Sequence, residues 1–78
     1  ILTFQFLLRD MTGLLSSILT IFAQFGANIL TINQAIPTNG CASVTISAET
    51  SGISQGVEAL MRALSQVDGV RKVEVLAG

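Results

Sequence analysis

The residues with the greatest capacity for chemistry lie in one short stretch, RDMTG at residues 9–13. It combines an arginine, a carboxylate, a hydroxyl and a glycine. A carboxylate in such a turn can pair with a cationic group, and free N–H groups at a helix start can bind an anionic one. Alternatively, Asp10 caps the helix that follows, since Asp is a preferred N-cap residue. The two functions are compatible because a carboxylate has several acceptor sites.

The composition offers little else for catalysis. The chain has four Lys or Arg, five Asp or Glu, no His and one Cys. Cys41 without a histidine cannot form a zinc site or a Cys-His nucleophile pair, so we expect no metal and no cofactor. A formal charge of -1 leaves no basic surface for nucleic acid. Half of the residues are hydrophobic and only 12% are charged, which favours an apolar surface for a partner.

The length of 78 residues fits a single domain. The longest apolar stretch, residues 14–25, is interrupted by polar residues and is shorter than the roughly 20 residues of a membrane span. We therefore expect no membrane contact, and with no signal peptide we expect a cytoplasmic protein. Because the chain starts at Ile1 inside a strand-like run, we expect the domain 1–78 to be the C-terminal part of a longer chain.

Hydrophobic periodicity predicts six elements. Alternation predicts strands and a 3.6-residue period predicts helices. In chain order, the predicted elements cover residues 1–8, 14–25, 27–36, 41–49, 57–67 and 70–76. Gly26 is a stop signal for the first helix, and PTNG at 37–40 predicts a hairpin turn.

The order βαββαβ is typical of the α+β ferredoxin-like fold, in which two helices cover one face of a four-stranded antiparallel sheet. In this topology the second strand lies at a sheet edge. Residues 27–36 contain no charge, proline or glycine, and such an edge invites pairing with another chain. We therefore predict a homodimer through this edge strand, with contacts from Ile29, Thr31, Ile32 and Asn33. The Asn33 and Gln34 side chains would bond across that contact or to water.

The stretches RDMTGLL, FAQFGANI and VDGVRKVEV, in this order, resemble the ACT domain, a small regulatory module that binds amino acids in bacterial enzymes and regulators. The resemblance covers essentially the whole chain. Residues 28–47 are more narrowly similar to PheB-type ACT-domain proteins, which are associated with phenylalanine metabolism. The resemblance implies a ligand near the first turn and the start of the second strand, where two domains pack side by side. By position, the ligand-binding residues are Asp10, Met11, Thr12, Gly13 and Asn28.

Two of these positions, Gly13 and Asn28, also have a structural alternative, as does Arg9. Thr12 stands where proline is common in the family. Gly13 either gives a ligand access to the backbone or allows close helix packing. Asn28 either contacts a ligand or hydrogen-bonds its own loop. Arg9 either steers a carboxylate or is a solvated charge at a strand end.

The resemblance implies an allosteric regulatory module that senses a hydrophobic or aromatic amino acid, such as phenylalanine, at a dimer interface. The alternative is a ligand-free dimerisation or assembly module of a larger regulatory protein. Chorismate mutase-type catalysis needs clustered cations around a dicarboxylate, whereas the four basic residues here are scattered, so we expect no enzyme activity. RNA-binding domains with the same element order use sheet-face aromatics and positive charge. The outward residues of the third strand, Ser43, Thr45, Ser47 and Glu49, provide neither.

Overall fold

A computed structural model describes residues 1–9, 12–35 and 39–77. The elements follow the predicted order. They are β1 (Leu2–Arg9), α1 (Leu14–Gln24), β2 (Asn28–Gln34), β3 (Cys41–Glu49), α2 (Val57–Ser65) and β4 (Val70–Ala77). α2 ends before the predicted Val67 because the N–H groups of Gln66 and Val67 donate to Ala63 O and Leu64 O, three residues back. Such shorter bonds tighten the last turn of a helix.

The four strands form one antiparallel sheet in the order β2-β3-β1-β4. The ferredoxin-like fold class is therefore confirmed, as is the prediction that the second strand lies at a sheet edge. Two residue pairs in this register locate the predicted ligand-binding residues. Arg9 at the end of β1 lies opposite Cys41, the first residue of β3. Asn28 at the start of β2 lies opposite Glu49, the last residue of β3.

The core lies between one face of the sheet and the two helices. The inward residues of β1 and β3 are buried there together with the apolar stripes of both helices; the largest fully buried side chains are Phe4, Phe6, Phe22, Ile18, Ile46, Leu60, Leu64 and Val44. The Phe22 ring of α1 meets Phe4 and Phe6 edge to face, with centroids 5.1 Å and 6.2 Å apart. Such contacts add to the stabilisation from apolar burial.

The other face of the sheet is polar and forms hydrogen bonds within itself. Gln5 Nε2 donates to Ser43 Oγ at 2.5 Å, and Thr45 Oγ1 donates to Gln5 Oε1 at 2.7 Å. The hydroxyls of Thr3 and Ser47 lie 3.2 Å apart. These half-buried side chains bond one another across β1 and β3, so this face differs in chemistry from the apolar face that the helices cover.

The structure describes the second half of the hairpin turn between β2 and β3. Asn39 and Gly40 have φ of 55° and 75°, the left-handed conformation that asparagine and glycine tolerate best. The other two residues of the predicted turn, Pro37 and Thr38, lie outside the described residues.

Candidate functional site

The turn before α1 contains Thr12 and Gly13, two of the predicted ligand-binding residues that the structure describes. Asp10 and Met11 lie outside the described residues. α1 begins at Leu14, and Gly13 occupies the N-cap position with φ of 81°. The N-cap position of α1 is therefore Gly13, and the predicted cap residue Asp10 lies outside the described residues.

Gly13 is needed for its backbone conformation and not for close packing. A Cβ at this position would meet no described atom within 4 Å, so the helix-packing alternative is wrong. Gly13 O accepts from the Ser17 backbone N–H at 3.0 Å and from Ser17 Oγ at 3.2 Å. No atom of the described residues lies within 4 Å on the side of Gly13 that a side chain would fill.

Asn28 lies far from this turn within one chain. Its side chain is exposed and makes no hydrogen bond to another described residue. Among the described residues, the alternative in which Asn28 hydrogen-bonds its own loop is therefore not observed. The turn follows Arg9, which faces Cys41, whereas Asn28 faces Glu49. These two points are separated by the length of β3, about 26 Å for eight strand steps. One protomer does not bring the predicted ligand residues together.

The start of β2 is held in place by a close contact between two glycines. Gly26 follows α1 with φ of 86°, and a Cβ there would lie 2.8 Å from the carbonyl oxygen of Gly52. Gly52 belongs to the loop between β3 and α2. The GANI stretch at residues 26–29 therefore begins with glycine for two reasons, its left-handed backbone and this contact. Together they fix the position of Asn28.

Glu49 is a charged neighbour of Asn28 that sequence reasoning did not assign to the site. The Ser51 backbone N–H donates to Glu49 Oε1 at 3.1 Å. Hydrogen bonds from the Ser51 backbone and side chain hold the pKa of this carboxyl below its ordinary value, because they stabilise the charged form. The sequence gives no signal for this proximity, since Asn28 and Glu49 belong to different strands and only the sheet register pairs them.

We expect Glu49→Gln to lower the free energy of unfolding at neutral pH, by an amount that shrinks in acid. A depressed folded-state pKa contributes stability above the ordinary pKa of 4.5, and this is lost as the pH falls through the lower folded-state value. Urea unfolding of both proteins across the acid range measures the difference. A difference that persists unchanged below the folded-state pKa would assign the effect to something other than the charge.

The two edges of the sheet differ in how they are protected. β4 carries Arg71, Lys72 and Glu74, and its pairing with β1 shifts register twice. β2 carries no charge, its pairing with β3 shifts register once, and six of its seven residues are exposed, among them Leu30 and Ile32. Charges and bulges are the features that prevent edge strands from pairing with other chains. β2 is the less protected edge.

The absence of charge extends well beyond β2. No charged residue occurs between Met11 and Ala48, a tract that includes α1, β2 and most of β3. The charges lie before and after it, at Arg9, Asp10, Glu49 and Asp68 and on α2 and β4. Apart from Glu49 opposite Asn28, the β2 side of the molecule is therefore uncharged, and depletion of charged residues is typical of the core of a protein interface.

Comparison with known proteins decides the family. Residues 3–69 match the model of the ACT domain. The chain belongs to the ACT domain family. Over 76 residues it is 50% identical to a UPF0735 ACT domain-containing protein of Desulfitobacterium hafniense, a match that covers 97% of this chain and 51% of that protein. The chain thus spans about half the length of the curated relatives it matches.

Solved structures agree on the fold. The ACT domain from GTP pyrophosphokinase of Chlorobium tepidum matches with a TM-score of 0.76 at 24% identity, covering 96% of this chain and 95% of that one. The acetolactate synthase small subunit from Thermotoga maritima matches with a TM-score of 0.75 at 21% identity, covering 95% of this chain and 45% of that one. At this level of identity the similarity of this ACT domain to both is one of fold.

Two further features of this ACT domain concern metals and membranes. Among the described residues, no three side chains of the His, Cys, Asp and Glu types lie close enough together to hold a metal ion. No helix in residues 1–9, 12–35 and 39–77 is long and apolar enough to cross a membrane.

Proposed function

We propose that this ACT domain is a cytoplasmic regulatory module that binds a hydrophobic or aromatic amino acid between two copies of itself. The observation that carries the proposal is the placement of the predicted ligand residues at opposite ends of the sheet. Thr12 and Gly13 lie at the end where β3 begins, and Asn28 lies at the end where β3 finishes. A single ligand can reach both sets only if they come from different copies.

A side-by-side dimer through β2 meets this requirement. Two identical edge strands related by a two-fold axis perpendicular to the sheet run antiparallel and exchange the same hydrogen bonds in both directions. That rotation brings the Asn28 end of one copy to the end of the combined sheet at which the turn of the other copy lies. Each dimer then has two equivalent sites, each made from the Thr12-Gly13 turn of one copy and Asn28 of its partner.

The groups at such a site fit an amino acid. The N–H groups at the start of α1 and the positive end of its dipole favour a carboxylate. The Asn28 amide offers both a donor and an acceptor, and the Asp10 carboxylate provides a partner for the ammonium group. The site borders the uncharged tract 11–48, which suits a ligand side chain without charge. The resemblance of residues 28–47 to PheB-type proteins supports phenylalanine as the first ligand to test.

A ligand shared by two copies acts by changing the stability of the dimer. Binding stabilises the paired state over separate protomers and so shifts any attached region that responds to pairing. A second candidate, a ligand-free dimerisation module, is favoured by the uncharged edge of β2 alone. The two candidates differ in whether any amino acid stabilises the protein.

Thermal unfolding of the protein with each of the twenty amino acids tests the proposal. We expect a selective rise in Tm with a hydrophobic or aromatic amino acid, corresponding to about 2.7 kcal/mol at a ligand concentration of 100 Kd. We expect Asn28→Ala to abolish the rise because the amide from the partner is lost. Gln66→Ala, an exposed amide after α2, is the matched control and keeps it.

A dimer in sedimentation with no amino acid raising Tm would overturn ligand binding and leave the assembly module. A rise that Asn28→Ala does not change would place the ligand elsewhere on the domain.

A further inference from the structure

We propose that the Asn39-Gly40 pair is a site of spontaneous covalent modification, at which the Asn39 side chain is converted to aspartate and isoaspartate. The pair lies in the hairpin turn between β2 and β3, directly before Cys41. Both residues are exposed to solvent. This inference depends neither on amino-acid binding nor on pairing between two copies.

The reaction joins two atoms that are neighbours along the chain. The Gly40 backbone nitrogen attacks Cγ of the Asn39 amide and loses its proton, the Cγ–Nδ2 bond breaks, and ammonia leaves. Water then opens the resulting succinimide ring. Cleavage of the bond between the Gly40 nitrogen and Cγ gives aspartate, whereas cleavage of the bond to the Asn39 backbone carbonyl carbon gives isoaspartate. Water is the only co-reactant.

Gly40 leaves the attacking nitrogen accessible. Glycine has no side chain to shield its nitrogen, and a Cβ at Gly40 would meet no described atom within 4 Å. Among the described residues, the Gly40 N–H donates no backbone hydrogen bond. No hydrogen bond to that part of the chain therefore has to break before the nitrogen can react.

The other two asparagines of the chain, Asn28 and Asn33, lie in a different setting. Both belong to β2 and pair in register with β3. They are followed by Ile29 and Gln34, whose side chains crowd the attacking nitrogen, and the branched, stiff Ile29 does so most. The sequence and the backbone both favour Asn39 as the asparagine that reacts first.

The modification changes the hairpin in two ways. Either product places a negative charge in the tract between Met11 and Ala48, which carries none. Isoaspartate also lengthens the backbone by one C–C bond, about 1.5 Å. Because the length of a hairpin turn sets the register of its two strands, the longer turn strains the pairing of β2 with β3. We expect isoaspartate to lower Tm more than aspartate does.

Peptide mapping of aged protein tests the site. The protein is incubated in mildly alkaline buffer, which favours loss of the Gly40 proton, and is then digested and analysed by chromatography and mass spectrometry. We expect aspartate and isoaspartate at residue 39 to appear before any product at Asn28 or Asn33. A free peptide with the sequence PTNGCA, residues 37–42, serves as the reference for an unrestrained turn.

Two variants accompany the wild-type protein. We expect Gly40→Ala to slow the conversion of Asn39, because the methyl group shields the attacking nitrogen. Asn39→Asp carries the charge without the longer backbone, so its Tm is expected to lie between those of the unmodified protein and the purified isoaspartate form.

Each outcome decides the proposal. Products that appear first at Asn28 or Asn33 would overturn the assignment to Asn39. An intact Asn39 in the protein after the free peptide has been converted would also overturn it, because the folded turn would then prevent ring closure. An isoaspartate form with the Tm of the unmodified protein would overturn the effect on the hairpin.

Discussion

Phe22→Ala is expected to remove a large share of the folding stability of this domain at 25 °C. Phe22 is fully buried and contacts Phe4 and Phe6, so truncation removes both edge-to-face contacts and leaves a cavity between α1 and the sheet. Such a change costs about 3–5 kcal/mol. A chain of 78 residues has a total stability of roughly 4–12 kcal/mol, so the loss takes a large share of it. Urea unfolding followed by circular dichroism measures the difference.

Phe25→Ala is the matched control for this prediction. Phe25 follows α1 and is only half-buried against the core. We expect a clearly smaller loss of stability, because less apolar surface becomes exposed and water fills the space that is left. Equal losses at the two positions would contradict the central place of Phe22 in the core.

Gly26→Ala is the second substitution with a large expected effect. The left-handed backbone at Gly26 costs an alanine about 1–2 kcal/mol. In addition, the new Cβ would lie 2.8 Å from Gly52 O, and a backbone atom cannot yield as a flexible side chain can. Overpacking of this kind adds about 1–3 kcal/mol. We expect β2 to shift at its start, so that Asn28 also loses its position and the ligand-induced rise in Tm falls.

Gly13→Ala separates the two causes. Gly13 and Gly26 have φ of 81° and 86°, so both alanines meet the same backbone strain. Only Gly26 has a neighbour where the Cβ would lie. In urea unfolding we expect Gly13→Ala to lose about 1–2 kcal/mol and Gly26→Ala clearly more. Similar losses would show that the contact with Gly52 adds nothing to the cost of the backbone conformation.

Hydrophobic periodicity and turn residues were enough to predict the elements and their order. Alternation in residues 41–49 and the 3.6-residue period from Leu14 reflect which side chains face the core, and that pattern is local. Gly26 and the Asn39-Gly40 pair marked the ends of elements because few residues adopt positive φ. The uncharged second strand could also be identified from composition, and the topology then placed it at the edge.

The surroundings of the candidate site depend on contacts between residues that are distant in the sequence. Asp10 satisfies the sequence preference for a helix cap, yet α1 starts only after Gly13. The distance between the turn and Asn28, the pairing of Asn28 with Glu49 and the contact of Gly26 with Gly52 all depend on the register of distant strands and on loop packing. Register follows from the burial of a whole sheet face and not from any local residue preference. For this reason Gly13 and Asn28, which the family resemblance assigns to one ligand site, lie at opposite ends of one protomer.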